Sequence, residues 1–208
     1  MKHTVDIEHW NRKEHFQFFS KFDDPFFGIT VNVDCTATYQ QSKEKGVSFF
    51  LLSLHKVMNA VNATEPFRYR IEDGTVVCYD VIHVSSTVGR SDGTFGFSFF
   101  PYDPSLDTFV TSATREIAFL KETSGLNFND AARRTDVIHF SSVPWISFTD
   151  LKHASSFGIN DCVPKISVGK YYTAKGRILL PLSVTVHHAL MDGYHVAQFI
   201  ERLQQSLL

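Results

Sequence analysis

The spacing of apolar and polar positions changes several times along the chain, and each change marks an element. From Trp10 to Lys21 the pattern predicts a helix, with Phe16, Phe18 and Phe19 as its apolar positions. Ile29 to Asp34 alternates and predicts a half-buried strand. Val47 to Ala63 has too long an apolar stretch for one strand and predicts a helix buried on more than one side. Phe67 to Ile71 and Thr75 to Tyr79 flank Asp73-Gly74, a pair suited to a tight primed turn, so this stretch predicts a hairpin. Val81 to Val88 and Thr94 to Phe100 are further strands, stopped by Gly89 and Pro101. Ser105 to Glu122 is a helix, and the polar stretch Thr123 to Thr135 is a loop or a frayed extension of it. Four strands follow: Val137 to Ser141, Trp145 to Thr149, Lys165 to Thr173 and Arg177 to Val186. The last helix runs from Gly193 to Leu207, with Val196, Phe199, Ile200, Leu203 and Leu207 at core spacing.

Helices and strands are intermixed, yet several adjacent strands are joined by short turns. That combination favours a mixed sheet with helices packed on one main face over a doubly wound parallel sheet. The expected fold is α/β, an α+β two-layer sandwich. At 208 residues without repeats or a low-complexity linker, it is expected to form a single domain over 1–208.

Composition adds boundaries. Hydrophobic residues at 43% and charged residues at 20% are ordinary for a globular protein. The 20 Phe suit a core, a subunit interface or an apolar ligand pocket, and composition does not choose among these. A net charge of −2 leaves no electrostatic footprint for nucleic acid or an anionic membrane. The basic pair Lys43 and Lys45 surrounds Glu44 and reads as a solvated helix end or loop. No apolar run reaches the ~18 residues of a membrane span. The N-terminal residues lack the apolar core of a signal peptide. Cys35, Cys78 and Cys162 are odd in number and far apart, as free thiols of a reducing compartment would be. A cytoplasmic protein is expected.

Chemistry concentrates in Val186-His187-His188-Ala189-Leu190-Met191-Asp192-Gly193-Tyr194-His195, where a long apolar strand gives way to an amphipathic helix. Three readings compete. The histidines can be packed or surface residues of an ordinary turn. They can bind metal, since His188, Asp192 and His195 stand at i, i+4 and i+7, although Gly193 argues that the helix begins too late to align them. Or one histidine is a general base, because neutral imidazole accepts a proton from an alcohol near pH 7. His187 and His188 are adjacent on a strand and point to opposite faces, so at most one enters a given cleft.

The stretch His187 to His195 resembles the signature of the chloramphenicol acetyltransferase family: His-His-Ala, two variable residues, then Asp-Gly-Phe/Tyr-His. Trp10-Asn11-Arg12-Lys13-Glu14-His15-Phe16 is similar to that family's N-terminal helix, and Glu65 to Gly74 to its first hairpin. Pro144 to Thr149, Gly169 to Thr173 and Leu180-Pro181-Leu182 occur in family order, so the resemblance covers essentially the whole chain. A looser His-His-x-x-x-Asp-Gly is shared with the acyltransferase domains of 2-oxoacid dehydrogenase complexes, but no lipoyl domain or linker is present here.

The resemblance implies a chloramphenicol acetyltransferase-like fold and direct acetyl transfer from acetyl-CoA, as co-substrate, to a hydroxyl of chloramphenicol in a ternary complex, with no metal. His188 matches the general base. Ser141 matches a serine that donates to the developing oxyanion, a role worth about 2.7–4 kcal/mol; Ser142 and Ser147 are its neighbours. Ser167 replaces a threonine that acts through a water. Asp192 and Arg12 match a structural ion pair that supports the base. Lys170, Trp145 and Phe50 match positions along the cofactor, and Phe19, Phe26 and Phe27 are the expected substrate-pocket wall. The resemblance also implies a homotrimer with sites between subunits, and antibiotic resistance as the biological use.

The chain departs from the pattern in places. Phe19 stands where the family has a drug-contacting tyrosine, and the segment from Phe22 to Gly28 is one residue longer. Ser48 replaces a second cofactor lysine. After Phe148 the sequence reads Thr-Asp-Leu-Lys-His in place of an Asn-rich run, and the connection from Thr123 to Thr135 is shorter. These changes gather at the acceptor side, which leaves two rivals: an O-acetyltransferase for another small hydroxylated acceptor, and a binding protein for hydrophobic drugs without catalysis.

Overall fold

The structure, a computed structural model, describes residues 1–154 and 161–208, the Ala132 side chain excepted. Its strands are β1 (Lys2–Thr4), β2 (Phe26–Asp34), β3 (Tyr69–Glu72), β4 (Thr75–Tyr79), β5 (His83–Gly89), β6 (Phe95–Phe100), β7 (Val137–Val143), β8 (Lys165–Gly169), β9 (Tyr172–Ala174) and β10 (Arg177–His187). Its α-helices are α1 (Lys13–Phe19), α2 (Thr36–Lys45), α3 (Phe49–Ala63), α4 (Leu106–Lys121) and α5 (Gly193–Leu207).

The large sheet runs in the order β2-β10-β8-β7-β5-β6, with β9 paired to β10. Its β5/β7 and β7/β8 pairs are parallel and the others antiparallel, so the sheet is mixed, as the strand spacing predicted. The period-2 geometry of a strand sorts its residues onto two faces. Val84, Ile138, Phe140, Ile166, Leu182, Val184 and Val186 form one core with Leu54, Met58 and Val61 of α3 and Val196, Phe199 and Leu203 of α5. The alternate positions are polar: Ser85, His139, Lys165 and Thr185 stand in one register row, and Ser141, Ser167 and Ser183 in the next. One face is therefore an apolar bed for helices and the other a polar belt.

A second sheet, β1-β4-β3, carries the expected hairpin. Asp73 and Gly74 both take positive φ, at 48° and 75°, as a primed turn requires. Phe16 of α1, Tyr69, Val76, Ala189 and Leu190 form a smaller core that ties this sheet to the turn after β10.

Four expectations need revision. Trp145 to Thr149 is not a strand: Ile146 N–H closes a turn on the Val143 carbonyl at 3.4 Å, Lys170 N–H bonds the Ile146 carbonyl at 2.8 Å, and Trp145 is 79% exposed. The preceding Pro144 has no N–H to continue a ladder. Lys165 to Thr173 divides at Lys170 into β8 and β9. The first helix is shorter than expected and begins at Lys13. Helix α2 was not foreseen; it places Lys43 and Lys45 in its last turn and ends on Gly46 at φ 64°. Among the described residues no helix is long and apolar enough to cross a membrane, and the three cysteines are free and buried.

Candidate active site

The turn between β10 and α5 is held from three sides. His188 N–H donates to the Pro25 carbonyl at 2.8 Å, and the N–H groups of Leu190 and Met191 both bond the His187 carbonyl. Asp192 caps α5 by accepting from Tyr194 N–H at 3.0 Å, and His195 completes a capping box. Arg12, 6% exposed, spans the turn: Nη1 donates to Asp192 at 2.6 Å and Nη2 to the His188 carbonyl at 3.1 Å. Burial works to raise the Asp192 pKa, but the Arg12 hydrogen bond and the charges of His195 and Arg12 outweigh it and hold the carboxyl below its usual range.

On this frame the His188 ring lies flat against Phe19, with centroids 3.8 Å apart and planes 4° off parallel, and Phe27 stands 4.7 Å away. Among the described residues His188 Nδ1 is enclosed without a hydrogen-bond partner, which leaves Nε2 as the nitrogen for proton exchange. His187 points the other way. It is 6% exposed, accepts from Ala189 N–H through Nδ1, and burial pushes its pKa down to about 4. Phe26 belongs to that side: it meets His187 edge-on at 5.5 Å, and Lys165 Nζ sits 3.8 Å above its ring. The expected aromatic wall thus divides, with Phe19 and Phe27 at His188 and Phe26 beside His187.

Helix α5 begins at Gly193, so His188, Asp192 and His195 do not share a helical face. Among the described residues no group of three or more His, Cys, Asp or Glu is gathered as a metal site.

Ser141 and Ser142 face different cavities. On the polar face a cavity of about 390 Å³ is lined by Ser141, His139, His153, Lys165, Phe97 and Phe128, among others. Burial pushes the His139 pKa in its floor down to about 4. Beside it Ser167, 1% exposed, bonds His153 Nε2. The second cavity, about 320 Å³, is lined by Phe49, Phe50, Val57, Ser142, Gly169 and Lys170, among others. Phe50 and Lys170 are therefore brought together, and Trp145 is exposed just past Pro144, which also lines this cavity. Ser147 is exposed.

His188 and Ser141 are not brought together within one chain. Ser141 is in register with Ser167, and Ser167 with Ser183, while His188 lies five residues beyond Ser183. At ~3.3 Å per residue and ~4.8 Å per strand, that separation is roughly 15–20 Å.

Residues 1–204 match the model of the family described as chloramphenicol acetyltransferase. The chain belongs to that family. Accordingly it is an acyltransferase. A chloramphenicol acetyltransferase of Klebsiella sp is 32% identical over 203 residues, 97% of this chain and 92% of its relative. One from Bacillus pumilus is 28% identical over 198 residues, 95% and 90% of the two chains. A solved chloramphenicol acetyltransferase superposes with a TM-score of 0.92 at 34% identity and covers both chains fully. An Azotobacter vinelandii dihydrolipoamide acetyltransferase shares the fold at a TM-score of 0.68 and 18% identity, covering 94% of this chain and 86% of its own.

In the sequence His153 marks only a departure from the family pattern after Phe148. Its importance lies in what it touches across strands, which a linear pattern does not reveal.

Proposed function

We propose that this chain, as one domain over 1–208, acetylates a hydroxyl of chloramphenicol from acetyl-CoA, with His188 of one subunit and Ser141 of the next completing each site. The observation that carries the reading is the separation of those two residues within a chain. His188 is fixed by its main chain, stacked on Phe19, with one ring nitrogen enclosed and the other left to work. Ser141 lines a cavity it does not share with His188. A symmetric oligomer, as the family resemblance implies in the form of a homotrimer, joins two half-sites that a monomer keeps apart.

The roles follow from the chemistry. Neutral His188 takes the proton from the acceptor hydroxyl through Nε2 as that oxygen forms its bond to the acetyl carbon. Ser141 donates its hydroxyl to the carbonyl oxygen, which gains negative charge. Phe19 and Phe27 exclude water around the base. The narrow apolar cavity lined by Phe49, Phe50 and Val57, with Lys170 as a cation at its edge, fits a thin arm ending in phosphates; Trp145 offers an exposed ring beside it. Acetyl-CoA supplies the activated acetyl group there. The setting is the cytoplasm, and the biological consequence is resistance to the antibiotic.

The test is thiol release from acetyl-CoA by the purified protein, with and without chloramphenicol. Release that depends on chloramphenicol and disappears in His188→Ala supports the reading. Release only with other alcohols reassigns the acceptor, and tight drug binding without release leaves a binding protein.

A further inference from the structure

We propose that His153 is a positioning residue that orients the Ser167 hydroxyl toward Ser141 at the wall of the polar-face cavity; the role presumes the acetyl transfer argued above. The ring of His153 bridges two strands: Nε2 lies 2.8 Å from Ser167 Oγ on β8, and Nδ1 lies 3.0 Å from Thr185 Oγ1 on β10. The same ring lines the cavity that contains Ser141. Ser141 and Ser167 are register partners on adjacent strands, so their side chains stand next to each other on one sheet face.

A neutral imidazole has one donor and one acceptor nitrogen, so one of these hydroxyls gives its proton to the ring and the other receives one. Burial, and then the Lys165 charge, lower the His153 pKa, which keeps the ring neutral near pH 7. The proposed role requires the tautomer in which Thr185 donates to Nδ1 and Nε2–H donates to Ser167. The Ser167 oxygen is then occupied and its proton is free to point toward the neighbouring Ser141 hydroxyl, which lines the cavity. Without the ring, the Ser167 hydroxyl rotates freely and presents that proton only part of the time.

Activity and spectroscopy test this separately. His153→Leu lowers kcat with chloramphenicol about tenfold, the usual weight of one oriented hydrogen bond, and leaves KM for acetyl-CoA unchanged. His153→Gln, which keeps an N–H near the Nε2 position, retains most of the activity. In a Ser167→Ala background His153→Leu costs nothing further, because it acts through that hydroxyl. Equal losses in both backgrounds, or a lowered melting temperature with unchanged kcat, would make His153 only an anchor for residues 149–154 and overturn the proposal. Nitrogen-15 NMR of the ring, identified by its disappearance in His153→Gln, is expected to show the proton on Nε2; a proton on Nδ1 overturns the proposal even if the acceptor proves to be another alcohol. A wild-type protein inactive on chloramphenicol counts against the acceptor, and the tautomer still decides the role of His153.

Discussion

Arg12 Nη2 donates to the backbone carbonyl of His188 at 3.1 Å while Nη1 of the same guanidinium holds Asp192 at 2.6 Å. One side chain from the start of the chain thus fixes the main chain that carries the proposed base, without approaching its imidazole nitrogens. The two partners differ in exposure: the Arg12 side chain is 7% accessible and that of Asp192 32%. Asp192→Ala strands a buried cation and removes the cap of α5, a loss of roughly 3–5 kcal/mol. Arg12→Ala leaves a carboxylate that water can reach, so its cost is smaller, about 1–3 kcal/mol. Urea unfolding of both variants checks the order, and both lose turnover because the His188 loop is released.

His188→Ala is expected to lower kcat by about 10²–10⁴, the range of a lost general base. The ring is half-buried and its Nδ1 has no partner among the described residues, so stability changes little. Stopped-assay thiol release together with thermal unfolding separates these effects.

His187 gives the protein an acid-sensitive term. Its folded pKa, about 4, lies below the ordinary histidine value because the ring is buried. Between about pH 6.5 and 4 the unfolded chain therefore binds the extra proton, and stability falls as pH drops through that window. The full loss is on the order of 3 kcal/mol at ~1.4 kcal/mol per unit. His187→Asn removes the His187 share of the slope from denaturation curves measured across the window and leaves that of His139, whose pKa burial also lowers to about 4; an unchanged slope assigns the dependence elsewhere.

Gly169 is needed for space. A Cβ there would stand 3.0 Å from two Phe148 ring atoms and 3.1 Å from the Ile146 carbonyl. Gly169→Ala displaces the turn that carries Trp145, destabilises by about 1–3 kcal/mol and raises KM for acetyl-CoA several-fold. Urea unfolding and acetyl-CoA saturation curves measure both effects.

How much of this was legible in the sequence depended on how local each signal was. Asp73-Gly74 announced its turn because both residues tolerate positive φ, and α5 was found end to end because its apolar positions keep helical spacing. Helix α2 was missed because it buries Thr38 and Ser42 where an apolar stripe was sought; it is held instead by Asp34, which bonds Thr36 at its start, and by Gly46 at its end. Trp145 to Thr149 was misread because alternating bulky residues imitate a strand, although here they decorate a turn. At the site, the spacing of His188 and Asp192 marked the loop, and family resemblance supplied Arg12 and Ser141. The contacts of His153 were not legible, since they depend on strand register, and the division of Phe26 from Phe27 was hidden because β2 begins at Phe26, three residues before the expected strand, so that the two rings alternate across it.

The central claim is that His188 and Ser141 work across a subunit boundary. It is tested by co-expressing His188→Ala chains with Ser141→Ala chains and measuring chloramphenicol-dependent thiol release by the mixed oligomers. Random assembly creates intact pairs at about a quarter of the sites, so activity well above that of either parent is predicted. Mixed oligomers no more active than the parents would mean that both residues serve the same chain's site, and would contradict the account.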